Sequence, residues 1–111
     1  MSIFRNFVIN FKSQDDCENY LVRSKDFYPS LKGMGMQNMT VCRLTEDSIL
    51  MFAVFNSDKD ALAVIEKTTE WRKINRFEFL DIIVLDGKIE THYDFTDCLL
   101  YTSDAADDIP G

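Results

Sequence analysis

The sequence predicts a single α+β domain, in which an antiparallel sheet carries two helices on one face. The element order is β-α-β-β-α-β, followed by a C-terminal hairpin strand. Three observations predict it. Apolar residues alternate along Phe4–Lys12 with the two-residue period of a strand. Two segments open with Ser-x-x-Asp, at Ser13 and at Ser57, and then carry apolar residues at helical spacing. Ile49–Phe55 is apolar without interruption, as expected of a central strand covered on both faces.

In the first strand Phe7, Ile9 and Phe11 share one face, and Asn6, Val8 and Asn10 share the other. Ser13 caps the first helix, along which Cys17, Tyr20, Leu21, Ser24, Phe27 and Tyr28 recur at helical spacing. Pro29 ends it, because proline disfavours α geometry at the residue before it. Lys32-Gly-Met-Gly35 is a turn, and Met36–Leu44 reads as the second strand. Thr45-Glu-Asp-Ser48 reverses the chain into Ile49–Phe55. From Ser57 a second helix with Ala61, Val64, Ile65 and Thr68 on its apolar stripe runs to about Ile74. Asp81–Leu85 is the fourth strand. Asp86-Gly87 then signals a two-residue hairpin, pairing Lys88–Phe95 back as a fifth strand.

The chain of 111 residues is 46% hydrophobic and 28% charged, with four Gly and two Pro, which is ordinary for one globular domain. Twelve basic against nineteen acidic residues give a net charge of −7, which argues against binding to nucleic-acid backbones. Apolar runs such as Ile49–Phe55 fall far short of the ~20 residues that span a bilayer, so no membrane partner is expected. The N-terminal residues lack the basic-then-apolar pattern of a secretion signal, and the expected location is cytoplasmic.

The C-terminal segment from Cys98 matches, codon for codon over Cys-Leu-Leu-Tyr-Thr-Ser-Asp-Ala-Ala-Asp, the translation of a transposase-type sequencing adapter. Residues 98–111 are therefore set apart from the domain, residues 1–97. Asp104, Asp107 and Asp108 account for three of the nineteen acidic residues, so without the segment the net charge is −4. Cys17 and Cys42 then remain, too far apart in sequence for a zinc motif and too few for a disulfide framework.

The β-α-β-β-α-β order is the split, ferredoxin-like arrangement. Two helices cover one face of such a sheet, yet Ile49–Phe55 asks for cover on both. A second copy packed sheet to sheet supplies it, so a homodimer is expected. With this order, the Lys32-Gly-Met-Gly35 turn and Phe52-Ala-Val-Phe-Asn-Ser-Asp-Lys-Asp-Ala61 leading into the second helix, residues 4–95 resemble the dimeric α+β barrel superfamily. The best-known branch of that superfamily is its antibiotic-biosynthesis-monooxygenase-like group. The resemblance implies a homodimer whose two sheets form a barrel with a lumen. Members include cofactor-free oxygenases, haem-degrading enzymes, isomerases and decarboxylases, so it implies fold more than activity. Haem-degrading members use an Asn on the first strand, a Trp on the second helix and a His shortly after it. Asn6 or Asn10 and Trp71 match the first two by position, but no His lies between Trp71 and Thr91, and no cofactor is expected.

His92 is the single histidine and shares a strand face with Glu90 and Asp94, which makes it the candidate general base. The alternative is a solvated row of polar residues. No metal-ligand spacing surrounds it. Arg43 alternates with Val41 and Met39 and is either a fork for a carboxylate ligand or a surface cation. Trp71 is either a ligand contact or a half-buried packing residue. Cys17 and Cys42 read as small buried hydrophobes, and Met34, Met36 and Met39 as core filling or an adaptable pocket rim. The leading expectation is a small-molecule-binding dimer, related to cofactor-independent monooxygenases, with Asn6, Asn10, Arg43 and His92 lining its lumen. The other is a non-catalytic homodimerisation or interaction module whose sheet face is filled by the partner subunit.

Overall fold

Both helices begin where a serine caps them. Ser13 Oγ accepts from the Asp16 N–H at 3.1 Å and Ser57 Oγ from the Asp60 N–H at 3.2 Å, each satisfying one of the unpaired first-turn donors. The computed structural model describes residues 2–96, so the segment from Cys98 onward lies outside the described residues. Its elements are β1 (Ile3–Phe11), α1 (Gln14–Phe27), a 3-10 turn (Tyr28–Leu31), β2 (Met36–Thr45), β3 (Ser48–Phe55), α2 (Asp58–Ile74) and β4 (Phe79–Lys88). Pro29 stands in the first turn of the 3-10 segment and separates it from α1. Between that turn and β2, Gly33 and Gly35 adopt φ of 89° and 85°, the left-handed region that favours glycine.

The four strands form one antiparallel sheet in the order β2-β3-β1-β4, so the uniformly apolar β3 is central, as expected. Register sets the two faces. Phe7 pairs with Met51 and Ile9 with Ile49 toward the helices, while Phe4 pairs with Val54 and Val8 with Leu50 on the opposite face. One half of the core joins Ile9, Phe11, Ile49 and Met51 to Cys17 and Tyr20 of α1. The other joins Ile3, Ala53 and Phe55 to Ala61 and Val64 of α2. Each large apolar side chain so buried contributes about 1.5–3 kcal/mol. The fully buried Tyr20 ring anchors an aromatic cluster, with Phe77 at 4.9 Å and Phe11 and Trp71 each at 5.4 Å between centroids.

The expected hairpin at Asp86-Gly87 does not form. Both residues continue β4, opposite Arg5 and Phe4, because β1 offers ladder partners as far as Ile3, which pairs with Lys88. Gly87 does not take the positive φ that a type I′ turn requires. Its missing Cβ instead makes room for the Phe4 ring, whose Cε1 would stand 3.0 Å from a Cβ there. Arg5 pairs with Asp86 at 3.5 Å. Residues 89–96 form no strand, and the Ile89 N–H donates to the Ser2 carbonyl at 3.1 Å.

The sheet face away from the helices is apolar and open. Phe52, Ile83 and Leu85 are 38%, 49% and 57% exposed there, and the Phe4 ring stacks on Phe52 at 6.0 Å. Among the described residues no helix is long and apolar enough to cross a membrane.

Candidate functional site

A cleft of about 620 Å³ lies between α1 and β2. Its α1 wall follows from helical spacing, since Glu18, Leu21 with Val22, and Lys25 recur every three or four residues and share one stripe, which Pro29 of the following turn extends. Its β2 wall follows from strand alternation, which turns Met39, Val41 and Arg43 to the helix side of the sheet. The gap exists because α1 buries Cys17, Tyr20 and Ser24, whereas Val41 on edge strand β2 stays 38% exposed.

The charged end of the cleft is a clamp. Arg43 Nη2 donates to Glu18 Oε2 at 2.6 Å and to Cys17 Sγ at 3.5 Å. The Glu18 hydrogen bond raises the Arg43 pKa further, so the guanidinium stays charged. Burial pushes the Cys17 thiol up, against the opposing pull of Arg43, which keeps this sulfur a thiol rather than a nucleophilic thiolate.

The inner wall is Tyr28. Its hydroxyl donates to Met51 Sδ at 2.9 Å and bonds the Tyr20 hydroxyl at 2.7 Å, and Arg72 Nε donates to Tyr20 Oη at 3.2 Å. Burial, followed by the neighbouring Tyr20, pushes the Tyr28 phenol well above its ordinary value, so it stays neutral. Behind Tyr28 and Met39, which line both spaces, a fissure of about 20 Å³ runs beneath α2 among Met51, Ala53, Phe55 and Val64. That volume is close to one water-sized sphere.

The site residues expected from sequence do not converge. Arg43 lies in the cleft. Trp71 is half-buried on α2, stacked on Phe27 at 4.3 Å and set against Phe77 at 4.9 Å, within the aromatic cluster and off the cleft. Asn6 and Asn10 point to the open sheet face, one residue out of phase with the helix-facing Phe7 and Ile9. Asn10 Nδ2 donates to Asp81 Oδ1 at 2.7 Å, whereas Asn6 Oδ1 is buried with no hydrogen-bond partner. His92 is exposed in the segment after β4, because the strand expected to present it does not form. A shared lumen lined by Asn6, Asn10, Arg43 and His92 is thus not what one chain builds. Sequence reasoning grouped Met39 and Val41 with Arg43 but missed Glu18 and Tyr28 on the facing wall. The signal was the second stripe on α1 beside the buried one. Among the described residues no cluster of three or more His, Cys, Asp or Glu is placed to hold a metal ion.

No protein-family model matches the chain, and no curated protein is similar to it in sequence. Solved structures do match. A dimeric ferredoxin-like protein from an uncultured marine organism superposes with a TM-score of 0.65 at 19% identity, covering 85% of this chain and 99% of that one. A Streptomyces coelicolor monooxygenase in complex with nanaomycin D gives 0.66 at 8% identity, covering 84% and 91%. A cofactor-independent oxygenase from Streptomyces nogalater gives 0.59 at 13%, covering 82% and 94%. At these identities the likeness establishes the fold alone, the ferredoxin-like α+β arrangement.

Proposed function

We propose that the chain is a small-molecule-binding protein that works as a homodimer, akin in activity to the cofactor-independent oxygenases, and that its ligand occupies the α1–β2 cleft. The cleft itself carries the reading. Its volume of about 620 Å³ falls within the ~300–1,000 Å³ of ordinary ligand sites, and its apolar walls hold a few polar groups, as such sites do. Its chemical contribution is electrostatic. Arg43 is a fixed cation beside apolar surface, suited to holding a ligand in its anionic form, and Tyr28 is a neutral wall.

The homodimer rests on the open sheet face. Exposed Phe52, Ile83 and Leu85 lie together with Phe4 and Val8 at the middle of the sheet, and an apolar face of this kind is normally covered. A second copy packed there encloses Asn6 and Asn10 between the sheets, and the buried, unpartnered Asn6 Oδ1 gains a site for a donor from across the interface. The same face favours the second reading, a non-catalytic homodimerisation module, in which the sheet contact is the whole function.

Ligand-observed NMR separates the two. A panel of aromatic and aliphatic acids, alcohols and ketones is screened against the wild type and against Val41→Trp, which fills the cleft from an exposed position, with oxygen uptake measured for every binder. The proposal expects binding to the wild type and none to Val41→Trp at unchanged circular dichroism. No binder for the wild type overturns it in favour of the interaction module. Equal binding by Val41→Trp overturns the placement in the cleft.

A further inference from the structure

We infer that the cleft's ligand is an elongated apolar monoanion, with its charged head at Arg43 and its apolar end stopped by Tyr28 and Met39, which set its length. This rests on the cleft being the binding site proposed above, and it names the class of molecule that site takes.

The polarity of the cleft comes from its two walls running antiparallel. Glu18 begins the α1 stripe and faces Arg43 late in β2, whereas Tyr28 and Pro29, in the turn that follows α1, lie beside Met39 early in β2. Ten helical residues from Glu18 to Tyr28 advance about 15 Å at 1.5 Å each. Four strand residues from Met39 to Arg43 advance about 13 Å at 3.3 Å each. The two lengths agree, so the walls run side by side with the clamp at one end and apolar side chains at the other.

Charge selects the head group. The cleft holds Arg43 and Lys25 against Glu18, a local excess of one positive charge in a chain whose net charge is −7. Both bonds of Arg43 among the described residues use Nη2, which leaves Nε and Nη1 free to donate singly, on different edges of the guanidinium. A carboxylate or enolate oxygen accepts from either of them, and such charge-assisted bonds are stronger than neutral ones. The Glu18 carboxylate is half-exposed, and an exposed pair of this kind is held weakly enough for a ligand anion to share its cation.

Two side chains select the length. Tyr28 is tied at its hydroxyl to Tyr20 and Met51 and forms a fixed wall, whereas Met39 is unbranched and yields easily. Together they stand between the cleft and the fissure beneath α2. Shortening Met39 joins the two spaces.

Calorimetric titration of the full chain with octanoate, octan-1-ol, octylammonium and dodecanoate tests the inference. The wild type is expected to bind octanoate about ten-fold or more tighter than octan-1-ol, the worth of one charged hydrogen bond. Octylammonium is expected not to bind. Arg43→Met should remove the preference for octanoate while leaving octan-1-ol unchanged, and Met39→Ala should shift the preference toward dodecanoate. Equal binding of octanoate and octan-1-ol by the wild type overturns the anionic head, and an unchanged length preference in a folded Met39→Ala overturns the stop. Octanoate affinity unchanged in Val41→Trp, or no binding of any probe, overturns the cleft itself, a failure distinct from either of these.

Discussion

Replacing Tyr28 by Phe removes one oxygen from the Arg72–Tyr20–Tyr28–Met51 chain of hydrogen bonds and nothing else. The ring still fills its place, but the fully buried Tyr20 hydroxyl keeps only the bond it accepts from Arg72 and loses the acceptor for its own proton. Leaving one buried polar group unpaired costs about 1–3 kcal/mol, so Tyr28→Phe should unfold that much more easily in urea at pH 7. The same oxygen makes a second prediction with a definite sign. Burial raises the folded-state pKa of Tyr28 above that of the unfolded chain, where tyrosine ionises near about 10. The stability held by this group is therefore complete below pH ~10 and drains away above it, at about 1.4 kcal/mol per pH unit. Tyr28→Phe has no such proton to lose. Its deficit against the wild type should thus be constant from pH 7 to 9 and about 1.4 kcal/mol smaller at pH 11. Urea denaturation followed by circular dichroism at pH 7, 9 and 11 reads the difference. A deficit as large at pH 11 as at pH 7 would mean that the Tyr28 phenol is not held buried and neutral.

Two further substitutions test the sheet and the turn. Met51→Asp, helix-facing and 2% exposed, should fail to fold, since an isolated buried carboxylate costs several kcal/mol against a total near 5–14 kcal/mol for a domain of this size. Phe52→Asp, its neighbour on the open face, should remain folded but monomeric, and gel filtration with circular dichroism distinguishes the two outcomes. Gly35→Ala should cost more than the roughly 1–2 kcal/mol of a left-handed alanine, because its Cβ would land on the Asp60 carboxyl group, which accepts from the Ser57 hydroxyl at the start of α2. Gly33→Ala, at similar φ but in open space, should cost only the conformational part, and equal melting shifts for both would contradict the Asp60 contact.

The fold was legible because local signals agreed with the tertiary structure at each step. The two Ser-x-x-Asp caps, the alternation in β1 and the unbroken apolar run of β3 each act over a few residues, and each element forms where its signal stands. Asp86-Gly87 misled because a hairpin dipeptide competes with the ladder beside it, and here β1 is long enough to hold the chain straight through Lys88. With the hairpin went the strand meant to present His92. The candidate site was legible only in part. Alternation along β2 correctly grouped Arg43 with Val41 and Met39, but nothing local says that α1 leaves this row uncovered. That gap is a property of where a helix lies across a sheet, and it is written in no single segment. Asn6 and Asn10 were grouped correctly with each other and wrongly with Arg43, because pairing β1 against β3 fixes which face each residue takes and sequence alone left that open.

In the proposed homodimer the open sheet face is the contact between two copies, the assembly on which a barrel and its enclosed asparagines depend. Static light scattering on the full chain of 12.9 kDa measures it most directly. A mass near twice that value, falling to one copy in a folded Phe52→Asp, is expected. A well-folded wild type that stays at the mass of a single chain would contradict it.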